Sequence, residues 1–149
     1  MHMDENLELR IARMEAVNEC SNLMSKYQLY HTATDSEGVL NMYALKTPGV
    51  RMEHNGNVFD GPDSIRGSLM ALAADEEDMV GRIYKHDLVN PVVVAADDGK
   101  TVVGTWNSIG LETGVDENGD YASYWHWVAY KVDFIQEDGV SADYTVANA

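Results

Sequence analysis

Residues 101–135 read TVVGTWNSIGLETGVDENGDYASYWHWVAYKVDFI and contain two long stretches of strand-forming residues separated by a polar segment. Aromatic and β-branched residues with a period of two are typical of β-strands, which we place at residues 101–112 and 121–135. Residues 114–120 are rich in glycine, aspartate and asparagine, which favour a turn. We therefore predict an antiparallel hairpin, with a third strand at residues 82–95 before it and a shorter one at 140–146 after it.

Helical patterns precede these strands. Residues 4–34 contain no glycine or proline, and apolar side chains recur every three or four positions, which predicts one long helix or two abutting ones. This stripe consists of Leu7, Ile11, Met14, Val17, Cys20, Leu23, Met24, Tyr27, Tyr30 and His31. Asp35 is a typical N-cap for a short second helix, which we expect to carry Leu40, Tyr43 and Ala44.

A small hairpin and a third helix are predicted between these two parts. Residues 50–54 alternate in polarity, and Asn55-Gly56 favours a two-residue hairpin turn after them. Pro62 fits the first turn of the third helix. The apolar stripe of that helix is Ile65, Leu69, Leu72 and Ala73. The acidic residues 75–78 are expected in a solvated loop, with a lid over a site as the alternative.

Helices followed by antiparallel strands are the order typical of an α+β protein. We predict a single domain over residues 1–149, a cone-shaped α+β barrel whose N-terminal helices pack in a curved, mostly antiparallel sheet. A small-molecule pocket is expected at the mouth of the cone, because ligand pockets favour concave, mostly apolar sites with a few polar groups.

The composition argues against several classes of function. Ten basic and 25 acidic residues give a formal charge of −15, which disfavours nucleic acid as a partner. No apolar run approaches the roughly 18 residues of a membrane helix, and no signal segment is visible, so we expect a cytoplasmic protein that does not bind membranes. Glycine-rich phosphate loops, closely spaced metal-ligand histidines and a nucleophile elbow are missing from the sequence, so we expect neither a metal nor a cofactor.

Histidine is the side chain best suited to proton transfer near neutral pH. His31 ends the first helical stripe, and His86 and His126 lie inside long strands. Alternation along the strand places Leu88, Asn90, Val92 and Val94 on the same face as His86. In the later strand, it places Tyr124, Val128, Tyr130 and Val132 on the same face as His126. Trp125 and Trp127 fall on the opposite face, and alternation does not tell which face lines the cone. A histidine on an apolar strand face is more often a core residue than a catalytic group, and both interpretations stay open.

Several segments together match a known pattern: residues 25–35, 53–65, 85–90, 103–106 and 124–133. With the order of elements, they resemble the SnoaL-like branch of the nuclear-transport-factor-2-like (NTF2-like) superfamily over about residues 6–139. This superfamily includes polyketide cyclases, scytalone dehydratase, bile-acid dehydratases and ketosteroid isomerases.

The resemblance implies roles for particular residues. A strand histidine that acts as acid and base corresponds to His86, and a helix tyrosine that polarises the substrate oxygen corresponds to Tyr27. The family's helix aspartate is replaced here by Thr32, and the adjacent His31 is a candidate substitute in proton transfer. The remaining residues expected to bind substrate are Tyr30, Asn90, His126, Tyr130 and Trp106.

The resemblance further implies a cofactor-independent, dehydratase-like lyase acting on a hydrophobic cyclic or aromatic carbonyl compound. An isomerase or a polyketide-type cyclase with the same pocket is one alternative, and a non-catalytic module for ligand binding or oligomerisation is the other. The segment after Gly139 departs from the family, so the last strand is expected to be short or displaced. A homodimer or homotrimer would then cover the sheet edge.

Overall fold

One long helix packs against a six-stranded sheet, with two short helices beside it. The computed structural model describes residues 2–71, 82–137 and 144–148, with side chains from residue 7 onward and, in the last segment, only that of Val146. Its elements are α1 (His2–Thr32), α2 (Ser36–Leu40), β1 (Arg51–His54), β2 (Asn57–Asp60), α3 (Pro62–Ala71), β3 (Tyr84–Ala95), β4 (Thr101–Val115), β5 (Tyr121–Gln136) and β6 (Tyr144–Asn148). The predicted α+β architecture is confirmed. None of the described helices is long and apolar enough to cross a membrane.

The helix starts follow the sequence signals closely. The Asp35 carboxylate accepts a hydrogen bond from the Gly38 N–H at 2.8 Å and caps α2. The prediction that Tyr43 and Ala44 belong to α2 is wrong, because the helix ends at Leu40 and Tyr43 forms a parallel bridge with Val146. Backbone pairing with a distant strand outweighs local helix propensity there.

α3 begins at Pro62, as predicted. Leu72, Ala73 and the acidic residues 75–78 lie outside the described residues.

The sheet has the strand order β2-β1-β6-β5-β4-β3. Asn55 and Gly56 form the predicted hairpin turn between β1 and β2, both with positive φ (52° and 77°). β6 is short, as expected, but it pairs with β5 on one side and β1 on the other. The expectation that the C-terminal strand leaves an uncovered edge is therefore wrong, since β2 and β3 are the outer strands.

The core lies between α1 and one face of the sheet. Cys20 and Met24 of α1 are fully buried in one cluster with Trp106 of β4 and Phe134 of β5. Burial raises the pKa of the Cys20 thiol to about 12, so this thiol is an inert packing group. Within the helix stripe, Cys20 and Met24 are buried and Val17, Leu23 and Tyr27 are half-buried against the core, whereas the N-terminal members Leu7, Ile11 and Met14 are exposed, as is Tyr30.

A β-bulge interrupts β3 and changes which side chains face inward. The pairing with β4 shifts between Val89 and Val92, and Asn90 within the bulge has a positive φ of 54°. The prediction that Asn90, Val92 and Val94 share the face of His86 is wrong, because the bulge reverses the alternation. All three side chains are exposed.

Candidate active site

Three adjacent strands bring two histidines to the same rung of the sheet. Gly110 of β4 pairs with His86 of β3 on one side and with His126 of β5 on the other. Paired residues share a face, so both imidazoles lie on the face covered by α1. A Cβ at Gly110 would lie 3.0 Å from His86 Nδ1 and 2.6 Å from the Lys85 carbonyl oxygen. The missing side chain therefore allows the His86 ring to lie against the backbone of β4.

A carboxylate that the sequence analysis missed joins the two imidazoles. Glu112 lies on the same face of β4 and bonds His86 Nε2 through Oε1 at 2.5 Å and His126 Nε2 through Oε2 at 3.0 Å. His86 is only 6% exposed, whereas the side chains of Glu112 and His126 are 24% and 36% exposed. Such charge-assisted hydrogen bonds fix ring orientation and tautomer. Glu112 thus supplies a carboxylate from the sheet, whereas the family resemblance implied one on the helix at the position of Thr32.

The last turns of α1 cover these strands and contribute two more rings. The His31 ring lies 4.9 Å from the His86 ring between centroids, at an interplanar angle of 73°, and 6.0 Å from the Tyr27 ring. Burial lowers the pKa of His31 to about 4, and the neighbouring His86 acts in the same direction. His31 is therefore an uncharged imidazole at neutral pH.

Two tyrosines form a hydrogen-bonded pair next to His31. The Tyr27 and Tyr130 hydroxyls interact with each other, and the two rings meet edge to face at 6.0 Å. Burial raises the pKa of both phenols, so both are neutral hydroxyls at physiological pH. One of the two phenol protons is used within the pair, so the other is left for a further acceptor.

We call these side chains the ring cluster: His31, His86, His126, Glu112, Tyr27 and Tyr130. Within the described part of the chain, three buried polar atoms at or beside this cluster have no hydrogen-bond partner: His86 Nδ1, His31 Nδ1 and Ser108 Oγ. Ser108 is fully buried on the same face of β4 as Gly110. Leaving such atoms unpaired costs roughly 1–3 kcal/mol each, so the cluster has capacity to hydrogen-bond a polar ligand.

The structure brings together five of the residues singled out from the sequence, namely Tyr27, His31, His86, His126 and Tyr130. Tyr30 instead lies against Gly38 at the start of α2, and Asn90 is exposed at the bulge. Trp106 packs edge to face against Phe134 in the core at 6.3 Å.

Ser108 and Glu112 were missed from the sequence. The register of the β4–β5 hairpin is the signal that would have found them, because Gly110 opposite His126 places both on the histidine face.

Two open clefts lie on the described surface, and neither is lined by the ring cluster. One, of about 570 Å³, runs between α1 and the end of β3 past Arg10, Arg13 and Val94. The other, of about 600 Å³, lies between the β1–β2 hairpin and α3 and includes His54. Neither of these two clefts is therefore the pocket expected at the mouth of the cone. His54 of the second cleft is nevertheless close enough to the ring cluster to contribute to lowering the pKa of His31. No group of three or more metal-ligating side chains is found among the described residues.

No protein-family model and no curated protein sequence matches the chain. Solved structures do match it. A candidate dehydratase of the NTF2-like family from Streptomyces avermitilis is 15% identical, with a TM-score of 0.69 over 89% of this chain and 92% of that one. A candidate polyketide cyclase from Xanthomonas campestris is 19% identical, with a TM-score of 0.53 over 92% and 88% of the two chains.

A third solved structure carries a different kind of description. It is a candidate association domain of a calcium/calmodulin-dependent protein kinase II from Xanthomonas campestris, 16% identical, with a TM-score of 0.56 over 87% and 81% of the two chains. The chain therefore has the NTF2-like fold that its sequence resembles. At these identities the likeness establishes the fold alone, and the described activities of the neighbours differ among themselves.

Proposed function

We propose that this chain is a cofactor-independent lyase that removes the proton next to a carbonyl group and expels water from a hydrophobic cyclic or aromatic substrate. The observation that carries the proposal is the state of His86. Its Nε2 is held by Glu112, and its Nδ1 is buried without a partner among the described residues.

His86 is the general base in this proposal. Glu112 accepts the proton of Nε2, which leaves the lone pair of Nδ1 free to take a proton from carbon. The carboxylate also stabilises the imidazolium that forms, since the ion pair lies in a largely buried site. A positioned general base of this kind contributes about 10²- to 10⁴-fold to the rate.

Tyr130 is the group proposed to bind the substrate oxygen. Negative charge develops on a carbonyl oxygen as the α-proton leaves, and a neutral phenol that donates a hydrogen bond there stabilises it. Tyr27 would act behind Tyr130 and strengthen its hydroxyl as a donor, because hydrogen bonds in a chain polarise one another. The sequence analysis gave the contact role to Tyr27, and the proposal assigns it to Tyr130 because Tyr130 lies on the same face of β5 as His126.

The same proton abstraction would also serve an isomerase or a cyclase. The solved structures that share this fold include both a candidate dehydratase and a candidate cyclase. The products separate these reactions, because dehydration lowers the product mass by one water and isomerisation does not. A ligand-binding module would bind the same compounds without changing them.

The test uses 4-hydroxy-4-phenylbutan-2-one, an aromatic β-hydroxy ketone whose dehydration gives a conjugated enone with near-ultraviolet absorption. We expect catalysed loss of water by the wild-type chain and a 10²- to 10⁴-fold lower rate for His86→Gln. Asp87→Asn is the matched control, because Asp87 is the next residue, is exposed and forms its ion pair with Lys85 at 2.9 Å. Equal rates for wild type and His86→Gln, or binding without turnover across related hydroxy ketones, would contradict the proposal.

We also propose that two copies associate through the outer face of β5. Trp125 and Trp127 are 78% and 75% exposed there, an unusual exposure for large aromatic side chains. Across the sheet, the same register positions of β3 carry Lys85 and Asp87, which neutralise each other in a chain with a net charge of −15. This is a face on which two acidic copies can meet without charge repulsion.

Sedimentation equilibrium tests this association. We expect an oligomer for the wild type and a monomer for the double substitution Trp125→Ser and Trp127→Ser. Met14→Ser, at an apolar position of α1 that is 72% exposed, should leave the mass unchanged. A monomeric wild-type chain would rule out the association.

A further inference from the structure

We infer that Glu112 makes His86 and His126 share one proton, so that His126 serves as the acid that completes the reaction begun by His86. The sharing is a property of the free protein. The catalytic half of the inference rests on the proposed function.

The geometry allows one carboxylate to serve both rings. Each oxygen of Glu112 bonds the Nε2 of one imidazole, and the ring centroids lie 5.6 Å apart. A single negative charge compensates one imidazolium. A second imidazolium at this distance would be repelled by the first. Two positive unit charges 5.6 Å apart at an effective dielectric constant of about 20 repel each other strongly enough to separate the two protonation steps by about two pH units.

Among the described residues, the groups that pack against the pair do not supply a second compensating charge. His31 packs against His86 from α1 and is uncharged at neutral pH, because its pKa is lowered to about 4. Tyr27 of α1 and Tyr130 of β5 are neutral phenols. With one added proton, the set of His86, His126 and Glu112 carries no net charge, and a second added proton would leave it positive.

The two histidines differ in their access to water, which assigns the resting proton. His86 is 6% exposed, whereas the His126 side chain is 36% exposed. Because desolvation disfavours a charged ring, a proton shared by the pair is favoured on the more exposed His126 over the buried His86. His86 is then ready to accept a proton, and His126 is ready to donate one.

With the two histidines in these states, the bonds, protons and charges of water elimination balance. The C–H bond next to the carbonyl breaks and its proton binds His86 Nδ1. The electron pair forms the C=C bond as the C–O bond to the hydroxyl breaks, and the departing oxygen takes a proton from His126 to leave as water. His86 ends as the imidazolium and His126 as the neutral ring, so the charge of the pair is unchanged. After product release, His86 gives its proton to solvent and His126 takes one up.

The test is an NMR titration of the histidine ring nitrogens in the whole chain without substrate, with the signals assigned from His86→Gln and His126→Gln. We expect the pair to bind one proton in its first transition and the second at least about two pH units lower. Glu112→Gln should move the first transition to lower pH by one unit or more. Asp87→Asn, which also removes one carboxylate but at an exposed position, should leave it in place.

The inference is overturned if both rings take up a proton over the same pH range, a result that the wild-type chain alone can give even if a variant fails to fold. The acid role has its own readout with the β-hydroxy ketone. His126→Gln should lower kcat and remove the decline of kcat at high pH, whereas a merely structural role would leave the shape of the pH profile intact. Absence of any turnover would contradict the proposed function. It would not contradict the shared proton, because the titration is measured without substrate.

Discussion

Acid should destabilise this protein through His31 in particular. Its pKa lies at about 4 in the folded chain, against the ordinary histidine value of 6.5 that describes the unfolded chain. A depressed histidine pKa means that the unfolded state binds the proton first, so stability is complete above pH 6.5 and falls as the pH drops from 6.5 towards 4. The two values give a loss of about 2 kcal/mol at pH 5 relative to pH 8.

Urea unfolding followed by tryptophan fluorescence at pH 8 and pH 5 measures this loss. His31→Gln keeps a polar side chain and removes the titration, so the variant should lose about 2 kcal/mol less than the wild type over this interval. The comparison cancels the other groups that titrate between pH 8 and pH 5. If both proteins lose the same free energy to within about 0.5 kcal/mol, His31 is not held neutral by burial, and the description of the ring cluster is wrong.

Further predictions concern backbone positions and can be checked by urea or thermal unfolding. Gly110→Ala places a methyl group 2.6 Å from the Lys85 carbonyl oxygen and should destabilise the fold by about 1–3 kcal/mol, with loss of the Nε2 bond of the displaced His86 in NMR spectra. Gly104→Ala, whose Cβ would overlap the Trp106 ring, should cost a similar amount. Gly67→Ala in α3 meets no atom of the described residues within 4 Å and should instead stabilise by about 0.5–1 kcal/mol, and a destabilised variant would contradict that packing. Asp35→Ala should cost about 1 kcal/mol through the lost cap of α2, and an unchanged midpoint would argue against the cap.

Local patterns in the sequence were sufficient for most of the fold. The helical period over residues 4–34, the Asn55-Gly56 turn and the alternation of β4 and β5 are properties of neighbouring residues, and the structure contains the corresponding elements. Long-range pairing explains the errors. Tyr43 leaves the helix because it meets Val146, and β6 is placed in the sheet by partners on both sides.

The candidate site was only partly predictable for the same reason. His86 and His126 could be chosen by residue type, but the carboxylate between them depends on the register of three strands. Alternation failed for Asn90 because a bulge adds a residue without a strong local signal. The contact between Tyr27 and Tyr130 depends on packing between a helix and a strand, which no periodicity encodes.

The central claim is that His86 takes a proton from carbon next to a carbonyl. Exchange of the α-protons of 4-phenylbutan-2-one for deuterium in D₂O isolates this step, because the ketone has no hydroxyl to lose. We predict exchange catalysed by the wild-type chain and by Asp87→Asn, and a rate 10²- to 10⁴-fold lower for His86→Gln. Exchange that is absent from the wild type, or equally fast without the imidazole, would contradict the account.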